Sequence, residues 1–405
     1  MERSSSTAAG TWPPPGFHVM IKPAGASCNL ACRYCFYLPK KALYPGKQTR
    51  MDDAILETFT RQYIEAQNAP EVTFGWQGGE PTLMGLDFFK KAISFQEKYK
   101  KPGLKISNTM QTNGTLLDDA WGNFLHDNEF LVGISIDGPP AIHDTYRKDK
   151  AGNPSFKRVR QGVNVLKRHH VDFNVLCCVH AGNEGHPVEV YRYLRDVIKT
   201  EFVQFIPVVE REGDGVSTRS VSGAGWGSFL VGVFDEWVRH DVGRVFVQTF
   251  DAALASWMNL PPAVCVYAET CGAALALEHN GDVYACDHYV DPAHLRGNVM
   301  SAGLKECVAS PAQERFGLDK RNKLPRQCLD CDYLFACNGE CPRNRIKKEA
   351  ISGNPLNHLC EGYKVFFAHV DPYMRFMAQE VSNERPAANI MEHVAKGGSL
   401  AAGKR

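Results

Sequence analysis

Three cysteines fall within eight residues near the start of the chain: Cys28, Cys32 and Cys35, a C-x3-C-x2-C run inside "SCNLACRYCFY". Thiolates this close make one metal site, and zinc and cubane iron–sulfur sites both take four ligands. No partner stands at finger spacing, although His18 and His143 are histidines that would complete a zinc knuckle. A three-ligand site with an open position is a reactive site rather than a closed staple. A [4Fe–4S] cube held at three irons leaves its fourth iron free for a small molecule.

A second group lies downstream. Cys271 is followed by nine residues, Gly281, four residues and Cys286; then come Cys328, Cys331, Cys337 and Cys341 as C-x2-C-x5-C-x3-C, and finally Cys360. Cys265 makes an eighth thiol. Eight thiolates close two four-ligand sites with no vacancy, whether iron–sulfur or zinc. Cys177, Cys178 and Cys307 stand apart. The Cys177-Cys178 pair sits in an apolar run and sends one side chain to the core.

The bulk numbers frame these sites. A chain of 405 residues exceeds one ordinary core, so two domains or a barrel with an appendage are expected. The formal net charge of +1 gives no support to nucleic-acid binding. No window supplies the roughly 20 apolar residues of a membrane span. "MERSSSTAAGTWPPPG" lacks the apolar core of an export signal and reads, like "AKGGSLAAGKR" at the other end, as a flexible segment. A cytoplasmic setting follows, where clustered cysteines bind metal or react rather than pair.

The elements that must carry these residues alternate along the first half. Strand-like runs are expected at 17–22, 71–76, 105–112, 130–136, 171–179 and 201–209. Between them, stretches such as 51–67, 86–100 and 155–169 repeat apolar residues every three or four positions, as helices do. Asp52, Asp53, Asp87 and Ser155 are the residues at hand to cap them. Six strand–helix units predict a parallel sheet with helices outside, an open or partial barrel. The polar oddities all follow strands: the cysteine run, "QGGEPT", "QTNG" and "DGPP". Such loops share one rim of a parallel barrel, where chemistry collects. Beyond 210 a polar connection leads to a helix near 226–240, and Asn280-Gly281 marks a hairpin. Trp76 and Trp121 read as packing residues, His169-His170 as a helix end, and "RNRIKK" after Cys341 as a solvated face.

C-x3-C-x2-C followed by the aromatic Phe36 resembles the radical S-adenosylmethionine (SAM) superfamily, and "GGEP" at Gly78–Pro81 is similar to its second motif. The distal spacing is similar to that of the SPASM extension. Within that group the chain resembles anaerobic sulfatase-maturating enzymes from about residue 17 to 375, on "CNLACRYCFY", "FGWQGGEPTL", "QTNGTLL", "ISIDGPPAIHDTYR", the eight distal cysteines and "YACDHYV". The resemblance implies an α/β fold, a partial (β/α)6 radical SAM barrel with a cysteine-rich SPASM domain. The corresponding division is a leader over 1–16, the barrel over 17–240, SPASM over 241–375, and a helix and tail over 376–405.

It also implies the chemistry. Three [4Fe–4S] clusters are expected: one on Cys28, Cys32 and Cys35 that binds SAM, one on Cys265, Cys271, Cys286 and Cys341, and one on Cys328, Cys331, Cys337 and Cys360. Tyr34, Gly78, Gly79, Glu80 and Pro81 would surround SAM. Ser135 and Asp137 would reach its ribose or methionine end, Arg147 its carboxylate, and the strand end near Val208 or Val209 its adenine. The substrate would be a Cys or Ser of an unfolded sulfatase in a C/S-x-P/A-x-R context, oxidised to Cα-formylglycine. A 5′-deoxyadenosyl radical would take the β-hydrogen, Asp287 would act as base with a burial-raised pKa, and the auxiliary clusters would take the second electron. A flavodoxin- or ferredoxin-like donor would supply reducing electrons. Another SPASM peptide modifier, forming thioether or carbon–carbon links, is the alternative.

Overall fold

In the first strands the two faces divide cleanly. In β1 (His18–Lys22), β2 (Glu71–Trp76), β3 (Lys105–Thr112), β4 (Leu131–Ser135), β5 (Phe173–Val179) and β6 (Phe202–Pro207), side chains alternate between two environments. In β2, Val72, Phe74 and Trp76 are buried, whereas Thr73 and Gly75 are not. Phe74 meets Tyr63 of the helix Asp53–Ala66 with ring centroids 5.1 Å apart, so the apolar face is the outer one. In β5, Val175, Cys177 and Val179 are buried, and Asn174, Leu176 and Cys178 are half-buried on the inner face. The outside of the sheet is sealed by helices, and the inside lines an open polar concavity. The computed structural model describes residues 12, 14, 16–46, 49–348 and 353–397. Most of the expected leader, and the tail from 398, lie outside them.

Helices return the chain between the strands, and one of three expected caps forms. Asp52 accepts from the Ile55 amide at 2.9 Å. Gly85, at φ 77°, caps Leu86–Tyr99 instead of Asp87, whose charge sits in the first turn. Ser155 stands at the N-cap of Phe156–Arg168 but makes no side-chain cap; its hydroxyl donates to the Arg147 carbonyl at 2.7 Å. The helix expected near 226–240 spans Gly223–His240.

The sheet does not stop at the sixth strand. After the small hairpin of β7 (Arg211–Glu212) and β8 (Gly215–Val216), β9 (Phe246–Val247) joins β6 in parallel. On the opposite side β10 (Ala274–Glu278) pairs in parallel with β1, Lys22 opposite Glu278. Gly281, at φ 89°, then turns the chain into β11 (Asp282–Tyr284), which pairs antiparallel with β10 and with β12 (Leu295–Asn298). The result is one ten-stranded sheet, ordered β12-β11-β10-β1-β2-β3-β4-β5-β6-β9. The cysteine-rich segment is thus joined to the barrel by main-chain hydrogen bonds. A last hairpin, β13 (Arg345–Lys348) and β14 (Pro355–Asn357), precedes the helix Cys360–Ser382, which runs through residue 375.

That helix lies against Gly223–His240 at a point where glycine is required. A Cβ on Gly362 would stand 2.1 Å from the Gly223 carbonyl oxygen. Gly362→Val is therefore expected to destabilise the protein by about 1–3 kcal/mol, as overpacking does. Gly185→Ala, which adds a methyl to open space, is expected to be neutral. Thermal unfolding of the two variants checks this, and equal midpoints would contradict the contact.

Candidate active site at the barrel mouth

The cysteine run leaves β1 and is held by backbone on both sides. The Gly79 amide donates to the Gly25 carbonyl and the Glu80 amide to Ser27, both at 2.8 Å. A Cβ on Gly79 would sit 1.9 Å from the Ser27 oxygen, so only glycine allows this approach. On the other side, Ala31 and Arg33 amides donate to the Lys148 and Tyr146 carbonyls. The Cys28 sulfur accepts from the Leu30 amide at 3.3 Å and faces the Asn113 side-chain amide at 3.7 Å. Cys28, Cys32 and Cys35 thus sit together on the rim, next to "QGGEPT" and "QTNG".

Glu80 is buried and ties those two loops together. Its carboxylate accepts from the Thr82 amide and hydroxyl, the Thr112 hydroxyl at 2.6 Å and the Asn113 amide at 2.7 Å. Burial pushes this carboxyl above the ordinary range, and the donors pull it back. Pro81 opens the short turn Pro81–Met84, and Gly78, at φ 117°, lies over Lys22.

Asp137 is likewise enclosed. It accepts from the Tyr34 hydroxyl and, at 3.1 Å, from the Cys178 amide. Arg147 donates to Tyr34 at 2.8 Å. Burial raises the Asp137 carboxyl, but Arg147 and His180 outweigh it and hold it down at about 2. His143, which might have completed a zinc knuckle, is spent on Ser155 and the Asp137 amide, and His18 lies on the strand. Deeper in the concavity Ser135 accepts from Gln111 at 3.1 Å. Val208, just past β6, is buried, and its amide donates to Val179.

Asp287 comes from the other side of the mouth. It opens a short turn, Asp287–Tyr289, rather than lying in the hairpin strand, which ends at Tyr284. Its partner is Lys22, the last residue of β1, almost fully buried. Lys22 also donates to Gln77 at 3.1 Å and lies 4.7 Å from the centre of the Tyr37 ring. The Tyr37 hydroxyl in turn donates to Glu278. The expected rise in the Asp287 pKa does not occur. Burial does push the carboxyl up, but the Lys22 ammonium overcomes it and holds the group below the ordinary range.

Lys22, Tyr37, Gln77 and Glu278 were absent from the sequence reading, although a lysine ending a buried strand is the signal that would have found them. Asn174 was missed as well; its Oδ1 is buried on the barrel floor with no hydrogen-bond partner among the described residues.

The distal thiols form two neighbourhoods. Cys328, Cys331, Cys337 and Cys360 line one cavity. Cys286 feels the charges of Cys265 and Cys271, and Cys341 those of Cys286 and Cys265. Burial lifts Cys286 to about 12 and Cys271 to about 11. The buried ammonium of Lys320 donates to the Cys265 and Val266 carbonyls, and its strongest favourable neighbours are Cys271 and Cys265. A buried cation among thiols suits an anionic thiolate-bound centre. Among the described residues no group of His, Cys, Asp or Glu closes on a point that would hold a single metal ion. "RNRIKK" is not a plain solvated face either: Arg345 is buried and donates to the Gly339 and Lys320 carbonyls. The cysteines are free, and no helix among the described residues is long and apolar enough to cross a membrane.

These residues fit the groups their spacing implies. Clustered thiols beside N–H donors suit iron–sulfur clusters. The Nε of Arg147 is buried and unpartnered among the described residues, as a guanidinium meant for a carboxylate would be.

The chain matches the Radical SAM superfamily over residues 23–194 and the SPASM iron-sulfur cluster-binding domain over 265–332. Fold and site together define a radical SAM enzyme with a SPASM extension. The chain is 47% identical over 400 residues to the serine-type anaerobic sulfatase-maturating enzyme of Bacteroides thetaiotaomicron, covering 95% of this chain and 96% of that one. It is 34% identical to the cysteine-type enzyme of Clostridium perfringens, covering 91% of this chain and all of that one. The structure of native anSMEcpe with bound AdoMet and Cp18Cys peptide superposes with a TM-score of 0.83, over 90% of this chain and 99% of that chain, at 34% identity. The chain belongs to the anaerobic sulfatase-maturating enzyme family.

Gly79→Ala is expected to dislodge the cysteine loop. The variant should lose about a third of its iron, one cluster of three, while the auxiliary centres remain. Iron and sulfide analysis of anaerobically purified protein checks this; full iron with intact SAM cleavage would contradict the docking.

Proposed function

We propose that this enzyme oxidises a Cys or Ser side chain of an unfolded sulfatase, in a C/S-x-P/A-x-R context, to Cα-formylglycine. The observation that carries the reading is the placement of Asp287, brought by β10 to the same mouth as the cysteine loop and fixed there by Lys22. When bound, the groups held by the cysteines supply the oxidising power: SAM on the open iron gives a 5′-deoxyadenosyl radical, and the two auxiliary [4Fe–4S] clusters give a sink for one electron. Everything else is done by the chain.

Arg147 and Tyr34 hold the carboxylate end of SAM, with Gly78, Gly79 and Glu80 shaping the loop beneath its amino group. Ser135 faces the ribose. Asp137 acts there mainly through Tyr34 and Arg147, because its carboxylate is already spent on Tyr34 and the Cys178 amide. The inner face of the barrel, half-buried and polar, receives an extended peptide. Asp287 takes the substrate's hydroxyl or thiol proton. An ionised carboxylate is ready to accept it, and Lys22 keeps the carboxylate ionised and aimed. Free cysteines throughout support a reducing, cytoplasmic setting. A flavodoxin- or ferredoxin-like protein is the electron donor. The higher identity to the serine-type relative makes a serine peptide the first substrate to try.

The test is anaerobic incubation with SAM, a reductant and two peptides differing only by Cys or Ser, with mass spectrometry for the aldehyde. Asp287→Asn is expected to lower aldehyde formation by about 10²–10⁴-fold, the usual worth of a general base. Lys22→Met should act in the same direction. Both should still release 5′-deoxyadenosine. An unchanged aldehyde yield from Asp287→Asn would remove it from the role. Deoxyadenosine without aldehyde on either peptide in the parent protein would overturn the reaction itself.

A further inference from the structure

His288 follows Asp287 and belongs to none of the roles above. Its Nδ1 stands 3.4 Å from the sulfur of Cys341. Its main-chain amide donates to the sulfur of Cys286, and the Arg343 amide donates to Cys341. One residue thus reaches two thiols of the same neighbourhood, one by backbone and one by side chain. The ring is locked in place. Phe36, directly after Cys35, meets it edge-to-face with centroids 5.5 Å apart, and the Arg343 guanidinium covers Phe36 at 5.0 Å.

We infer that His288 is a positioning residue for electron transfer, donating Nδ1–H to the Cys341 thiolate and so raising the reduction potential of the auxiliary cluster beside the substrate. An iron-bound thiolate only accepts, so the ring nitrogen facing it carries the proton. A hydrogen bond to a ligand sulfur offsets the extra negative charge of the reduced cluster, which makes the cluster a better acceptor. The inference rests on the proposed reaction, whose balance is simple. Asp287 takes the hydroxyl or thiol proton, the carbon radical gives up one electron, C=O or C=S forms, and the cluster is reduced by that one electron.

The test uses the Cys28→Ala/Cys32→Ala/Cys35→Ala protein, in which only the auxiliary clusters titrate. His288→Phe is expected to lower the reduction constant of one cluster about tenfold, which is 59 mV for one electron, and to leave the other unmoved. An unchanged or raised potential with the clusters intact overturns the inference. A second measurement needs no substitution at this position: in protein grown with 15N-histidine, the reduced cluster's electron spin should couple to a histidine nitrogen. No such coupling overturns the inference even where His288→Phe cannot hold its clusters. Neither readout uses SAM or peptide, so failure here differs from failure of the reaction. A protein without iron and sulfide would sink the functional reading instead.

Discussion

A buried ammonium and a carboxylate, Lys22 and Asp287, meet where the barrel joins the cysteine-rich segment, and the site takes its geometry from that pair. Removing two charges from water costs several kcal/mol per ion, and the cost is met only by close pairing with further hydrogen bonds. Lys22 has those in Gln77 and the Tyr37 ring. Neither charge can leave without stranding the other, so β1 and the turn at 287–289 are fixed relative to each other. The parallel pairing of β1 with β10 supplies the main-chain half of the same constraint.

Two aspartates then separate into two roles by environment. Asp137 is fully enclosed, saturated by Tyr34 and the Cys178 amide, and held near 2. It acts as a fixed anion that orients Tyr34 and Arg147. Asp287 has one cationic partner and remains partly exposed at the mouth. Hydrogen-atom removal belongs to the cysteine-loop side and proton removal to the Asp287 side, so the reacting carbon must lie between them. Lys320 does for the distal thiols what Lys22 does for Asp287, placing a buried positive charge where negative charge must be held.

The six barrel strands were legible because alternation is local, and a buried outer face with a polar inner one imposes it residue by residue. The cysteine spacings were legible for a similar reason, since ligand chemistry fixes type and interval together. What sequence hid was long-range. Pairing between His18 and Ala274 spans most of the chain and leaves no local trace. The Asp287 pKa was expected to rise because burial alone was visible; its compensating charge comes from the opposite end of the sequence. Arg345 reads as one more basic surface residue, and only tertiary structure supplies the carbonyls that draw it inside. Ser155 has a cap residue's chemistry, but the nearby Arg147 carbonyl claimed its hydroxyl.

The central claim is that one face of the mouth removes a hydrogen atom from the side-chain carbon that Asp287 helps to oxidise. Deuterium tracing tests it most directly. With a peptide deuterated at the β-carbon of its target serine or cysteine, the 5′-deoxyadenosine released in aldehyde-forming turnovers should carry the label. Aldehyde formed with unlabelled deoxyadenosine would contradict the account.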